Sequence, residues 1–230
     1  MNWELAIERN REALQRIVAA LFAMAGLAGD LTTATLPRHL RNHVLRVLRP
    51  AESAVRRLVV IAARGLVVTV KPRQAGARPG PGTKPSREPA ARVPPLPLLD
   101  TLPDLSFRPF RRRPKGFPRI SIVGVTEPRP IPEYWIPSPG DPVGAAGIRR
   151  RLHALQRALK DIDSHAKRFA RWRARRDLRF RQTDRLPGRY SPLRPGRPPG
   201  HRKRAIHEID EVLRECHSLA LCAMKPPNTS

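Results

Sequence analysis

The chain has 230 residues, with 45 Lys and Arg against 19 Asp and Glu, giving a formal net charge of +26 and an isoelectric point near 11.8. Hydrophobic residues make up 40% and proline fills 27 positions, which excludes one uniform globule over the whole length: apolar side chains must be concentrated in some segments and scarce in others. So basic a chain attracts polyanions, nucleic acid or anionic lipid, through its long-range field, although 38 Arg against 7 Lys in a chain rich in Ala, Pro and Gly also fits a GC-rich coding sequence.

Residues 2–28 are predicted to form a helix. Asn2 can cap it, and Glu4 lies in the first turn, where the helix dipole favours an acid. Trp3, Ile7, Leu14, Ile17, Leu21, Met24 and Ala28 make one seam, with Asn10 its single polar gap and Gly29 the expected stop. A second helix is expected from Thr35, with Pro37 in its first turn and Leu40, Val44, Val47 and Leu48 on its apolar face. Pro50 ends or kinks that helix and opens a third, whose face is Val55, Leu58, Ile61 and Ala62 and whose closure is Gly65. Residues 1–70 therefore read as a three-helix unit. The apolar run 17–28 is shorter than the ~20 residues a membrane span requires, and Arg64 interrupts the next run, 58–70. The mixed charges ahead of residue 17 are unlike a secretory leader.

Residues 71–147 hold 18 prolines and read as a Pro/Gly-rich linker, extended and partly disordered. Within it, residues 120–125 have strand composition, and a lone strand needs a partner. Tyr134 and Trp135, followed by Ile136 and set between prolines, form an aromatic cluster expected to dock, either on the chain's own helices or on a partner. Pro94-Pro95-Leu96-Pro97 matches a polyproline ligand core, a match expected by chance in such a chain.

A long helix is predicted over 148–181, with Ile148, Leu152, Leu155, Leu159, Ile162, Ala166 and Phe169 as its seam. Across 148–204 there are 20 basic residues and 4 acidic ones. After a Pro/Gly loop at 186–200, a final helix over 203–222 places Ile206, Ile209, Leu213, Cys216 and Ala220 on one face and Glu208, Asp210, Glu211 and Glu215 on another. An antiparallel hairpin over 148–222 would bury both seams and pair opposite charges. Residues 223–230 read as a disordered tail.

The densest functional signal is Arg168, Arg171, Arg173, Arg175, Arg176 and Arg179, interleaved with Trp172 and flanked by Phe169 and Phe180. Arginine forks match phosphate oxygens, and aromatic rings stack on unpaired bases. Three readings stand together: a solvated helix face, a nucleic-acid surface, or a basic amphipathic helix on anionic lipid. His201, His207, Cys216, His217 and Cys222 gather near the C-terminus, but without the paired spacing of a zinc site, so no metal is expected. No phosphate-binding glycine loop, nucleophile elbow or paired catalytic carboxylates appear; no catalytic residue, cofactor or small-molecule substrate is expected. Two cysteines make no disulfide framework and point to a reducing compartment.

The N-terminal run Met1-Asn2-Trp3-Glu4-Leu5-Ala6-Ile7-Glu8-Arg9-Asn10-Arg11-Glu12-Ala13-Leu14, with Leu48-Arg49-Pro50-Ala51-Glu52-Ser53-Ala54, resembles conserved hypothetical proteins of alphaproteobacteria. The resemblance is clearest over 1–70. It implies a bacterial, intracellular protein and carries no functional residue.

The expectation is an all-α protein of short amphipathic helices with a C-terminal helical hairpin and a long Pro-rich linker. Its expected role is a noncatalytic, cytoplasmic interaction protein that binds nucleic acid, DNA or RNA, through the Arg-rich helix. The alternatives are a protein peripheral to an anionic membrane, such as the inner membrane, and a structural subunit of an acidic protein partner.

Overall fold

The computed structural model describes residues 2–27, 35–70, 95–101, 124, 137–183 and 191–225. Over the described residues it is all-α apart from one small ribbon. The helices are α1 (Trp3–Met24), α2 (Arg38–Ala62), α3 (Ala146–Lys160), α4 (Ile162–Thr183) and α5 (Glu208–Met224). Strands β1 (Thr35–Pro37) and β2 (Pro142–Gly144) pair antiparallel, with Leu36 opposite Val143.

α1 begins as its sequence dictates: the Leu5 amide donates to Asn2 Oδ1 at 3.1 Å, and Glu4 occupies the first turn. It ends earlier than expected, at Gly26 rather than Gly29. Gly26 takes φ +63°, the Gly26 amide donates to the Ala23 carbonyl and the Leu27 amide to the Phe22 carbonyl, which closes the last turn. The polar gap in the seam, Asn10, is 2% exposed. Its amide donates back to the Ala6 carbonyl at 2.8 Å, and its oxygen accepts from the Cys216 thiol at 3.4 Å, tying α5 to α1.

α2 replaces the two helices expected on either side of Pro50. The proline sits inside one continuous 25-residue helix. It removes the amide that would have bonded the Arg46 carbonyl. Arg202 supplies a substitute donor, its Nη2 lying 3.4 Å from that oxygen. Gly200 lies flat on the same spot: it has φ +84°, and a Cβ there would come within 2.7 Å of the Pro50 nitrogen. The first amides of α2 are also met from afar, Arg38 N–H by the Asp141 carbonyl and His39 N–H by the Pro139 carbonyl, both at 2.9 Å. From Ser53 to Ile61 every residue of α2 is buried, the mark of a central helix. It packs against all four others.

The helix predicted over 148–181 is two helices. Asp161 breaks it at φ −132°, ψ 69°, and its carboxylate accepts the Ser164 amide at 3.1 Å, so one residue stops α3 and caps α4. Hydrogen bonding to Ser164 holds the Asp161 carboxyl below its usual range.

α5 starts at Glu208, later than expected, because the Asp210 carboxylate turns back to accept the Ile206 and His207 amides at 3.0 and 3.2 Å. Ile206, assigned to the apolar face, is consequently 69% exposed. α5 packs chiefly on α2 and next on α1, not on the basic helix as a hairpin. Its acids follow it: Glu215 pairs with Arg9, and Glu208 with Arg16 at 3.0 Å.

Two stretches of the expected linker are structural. Residues 137–145 make the turn and strand that meet β1, and Ala145 is buried. Residues 95–101 run across the helices with Leu96, Leu98 and Asp100 buried, so the polyproline-like motif is anchored by its leucine. The Ile120–Val125 strand expectation lies outside the described residues except for Gly124.

Among the described residues the core has two apolar clusters. The larger joins Leu14, Leu48, Leu58, Leu155 and Leu213 from α1, α2, α3 and α5. The smaller joins Val59, Leu98, Phe169, Leu193 and Leu219, gathering the C-terminal ends of α2 and α5 on α4. At ~25 cal/mol per Å² of apolar area buried, these clusters are the main stabilising term.

Candidate nucleic-acid interface

α4 divides its side chains by angle. Ile162, Ala166, Phe169 and Ala170 are buried, Ala166 and Phe169 in one cluster with the end of α2, Leu98 and Leu193, and Ile162 in the larger cluster. The opposite side carries Lys167, Arg168, Arg171, Arg175 and Arg179, all exposed. Arg171, Arg175 and Arg179 step by four, about 6 Å of rise each, so they form a straight cationic stripe.

The six predicted arginines do not act alike. Arg171 and Arg175 point outward. Arg168 is exposed but donates to the Leu96 carbonyl at 3.3 Å. Arg173 is half-buried and donates to the Leu66 carbonyl at 2.8 Å, fixing the segment that leaves α2. Arg176 is half-buried, bonded to Asp177 at 2.7 Å, with its guanidinium 5.4 Å from the centre of the Trp172 ring. Trp172 is half-buried and stacks obliquely on Phe169 at 5.6 Å. Phe180 is 42% exposed near the end of α4. Tyr134 and Trp135 lie outside the described residues.

Trp172 also separates two cavities. One, of about 960 Å³, has Phe169, Trp172 and Met224 among its walls. Arg64, Arg173, Arg176 and Lys225 line it as well, and no described carboxylate or imidazole does. The other, of about 420 Å³, is lined by Leu98, Leu99, Arg168, Trp172 and Arg175. Arg64 is held in place by the Trp3 ring, 4.7 Å from its guanidinium carbon. Arg64 and Lys225 were not singled out in the sequence, because each approaches α4 from a different helix end.

Sequence reasoning also missed a buried ionic cluster that joins α2, α5, the 95–101 segment and the 191–202 loop. Asp100 accepts from Arg56 Nε at 2.9 Å, from Arg57 Nη2 at 2.8 Å and from the Arg194 amide at 3.2 Å. Burial alone would raise the Asp100 carboxyl, but the Arg57 hydrogen bond and the charges of both arginines bring it below its usual range. Arg57 is fully buried, and desolvation lowers its pKa against the opposing pull of Asp100. Its Nη1 donates to the Ser53 hydroxyl at 2.6 Å and its Nε to His217 Nδ1 at 3.1 Å. The imidazole must therefore accept at Nδ1, and burial followed by the Arg57 charge lowers its pKa.

Of the C-terminal histidines and cysteines, His207, Cys216 and His217 each serve a separate local role. His217 meets Arg57, Cys216 meets Asn10, and His207 caps α5 with its ring edge against His43. Among the described residues, no three His, Cys, Asp or Glu side chains gather as metal ligands, and no helix is long and apolar enough to cross a membrane. Comparison with protein-family models, with curated proteins and with solved structures returned no match.

Proposed function

We propose that the chain is a noncatalytic interaction protein that binds nucleic acid through the outward face of α4. The carrying observation is the stripe of Lys167, Arg168, Arg171, Arg175 and Arg179 opposite the buried seam of the same helix. Guanidinium forks at this spacing suit a line of backbone phosphates, and the binding energy would come from counterion release. A lipid-binding helix would turn its apolar face outward; here Ala166, Phe169 and Ala170 face the core, so nucleic acid is favoured over a membrane surface. An acidic protein partner would also meet the stripe. A bacterial, cytoplasmic location, implied by the resemblance and by two free thiols, fits nucleic acid as the polyanion at hand. The two cavities that Trp172 borders are lined by cations and apolar side chains, a lining that suits binding an anionic partner.

The test is a salt titration of binding to generic duplex DNA and single-stranded RNA, with Lys167, Arg171 and Arg175 changed together to Gln. The wild type should bind at physiological salt. The variant should lose affinity and about two to three units of salt slope, near 0.9 per phosphate contact removed. Equal binding by the variant, or no wild-type binding at physiological salt, refutes the reading. Pelleting with anionic vesicles but not with nucleic acid would move the assignment to lipid.

A further inference from the structure

The cavity of about 960 Å³ shares Trp172 with the smaller cavity that the stripe residues Arg168 and Arg175 line. Its size lies within the ~300–1,000 Å³ of typical ligand sites. It combines aromatic walls, Phe169 and Trp172, with four cations, Arg64, Arg173, Arg176 and Lys225. Such a lining suits a flat aromatic ring joined to a phosphate, the ring against Phe169 and Trp172 and the phosphate against the cations. Three of the cations are already held: Arg64 by Trp3, Arg173 by the Leu66 carbonyl, Arg176 by Asp177 and the Trp172 ring. A ligand would meet a positioned set rather than order one, which lowers the cost of binding. Trp172 is common to the two cavities, lining the smaller with Arg168 and Arg175 and the larger with Phe169 and Arg176.

We infer that this cavity receives an unpaired base of a single-stranded nucleic acid whose backbone lies on the α4 stripe, so that the protein prefers single strands to duplex. The inference rests on the reading of α4 as a nucleic-acid surface. A single strand offers bases free to stack on aromatic rings. A duplex keeps its bases inside the stack and gives one up only at a cost, so it would engage the stripe alone.

Cys222 gives a direct reporter. It is exposed and lines the cavity, whereas Cys216 is fully buried with its thiol pushed up to about 12 by burial. A maleimide on the full-length chain therefore reads Cys222. Single-stranded oligonucleotide and duplex of equal length would be titrated at one salt concentration, against affinity and against Cys222 labelling rate. The single strand should bind about tenfold more tightly, the effect of one good base stack, and should slow labelling while duplex does not. Trp172→Leu should remove the preference for single strands. Because Trp172 also packs in the core, Ala223→Leu supplies an independent test: it narrows the cavity without touching an arginine and should abolish the preference as well. Equal affinity for both nucleic acids, or an Ala223→Leu variant that keeps the preference, would overturn the inference while leaving the stripe reading intact. Protection of Cys222 by a fatty acid and by neither oligonucleotide would overturn it in favour of lipid. Failure of both nucleic acids to bind would overturn the two readings together.

Discussion

Arg56 and Arg57 on α2 and Arg171 and Arg175 on α4 are the same side chain under opposite conditions. The first pair is withdrawn from water and tied to Asp100. The second pair is solvated on the outer face of its helix. Taking a guanidinium out of water costs several kcal/mol and is tolerated only where a carboxylate and further acceptors surround it. The contrast teaches that the arginine excess has two unrelated uses. Part of it is an internal fastening, and only the remainder is available to a partner. A third group ties main-chain carbonyls outside both: Arg11 Nε donates to the Leu159 carbonyl at 3.0 Å where α3 ends, and Arg214 to the Lys203 carbonyl at 3.1 Å in the loop ahead of α5.

The sharpest way to break the comparison is to remove the carboxylate. Asp100→Asn leaves two buried guanidinium groups facing one neutral amide and should cost about 3–5 kcal/mol in denaturant unfolding. A loss under about 1 kcal/mol would mean that water reaches the cluster. Next is Gly200→Ala. The Pro192 carbonyl accepts the Asp100 amide at 3.0 Å, so the 191–202 loop helps enclose the cluster, and Gly200 lies against the Pro50 backbone of α2. A Cβ in a left-handed conformation against the Pro50 backbone should cost about 2–4 kcal/mol by the same assay.

A smaller effect should appear with pH. His217 has a folded-state pKa below its ordinary 6.5, so the unfolded chain takes up its proton first as pH falls. The stability it contributes is present above 6.5 and is lost on acidification below it. Thermal melts should show a decline from pH 7 to pH 5 that is reduced in His217→Gln. Asp100, also depressed, adds its own loss only at more acid pH, below its ordinary 3.8. Least of all, changing Lys167, Arg171 and Arg175 to Gln should move stability by no more than about 0.5 kcal/mol, because solvated surface positions contribute little. A large loss there would place those arginines among the fastenings.

Some of this was legible in the sequence. The all-α class, the Asn2 cap, the seam of α1 and the apolar face of α5 from Ile209 onward follow from local spacing, and local spacing is what packing uses. The continuity of α2 was not legible, since the groups that rescue Pro50, Gly200 and Arg202, come from far along the chain. Asp161 reads as one more helix-compatible acid until its carboxylate is seen on the Ser164 amide. The 35–37 and 142–144 ribbon has three residues per strand, too few for an alternating pattern. Asp100 looked like a linker acid because its partners are on α2 and in the 191–202 loop. For the candidate interface, the positions of the arginines were plain, but their division was not. Arg173 and Arg176 were grouped with Arg171 and Arg175 because a run of one residue type conceals the angle at which each leaves the helix.

The proline in α2 has a consequence for the order of synthesis. Arg202 follows Arg46 by 156 positions. At ~5–20 residues per second, a ribosome leaves on the order of ten seconds between the two. During that interval the Arg46 carbonyl has only water as donor, and Arg57 has neither Asp100 nor His217 beside it until those residues emerge. The central helix is thus the early-made part of the protein that is finished last. The fold gains its full cooperativity only when the nascent chain has passed the loop that seats Gly200 on Pro50.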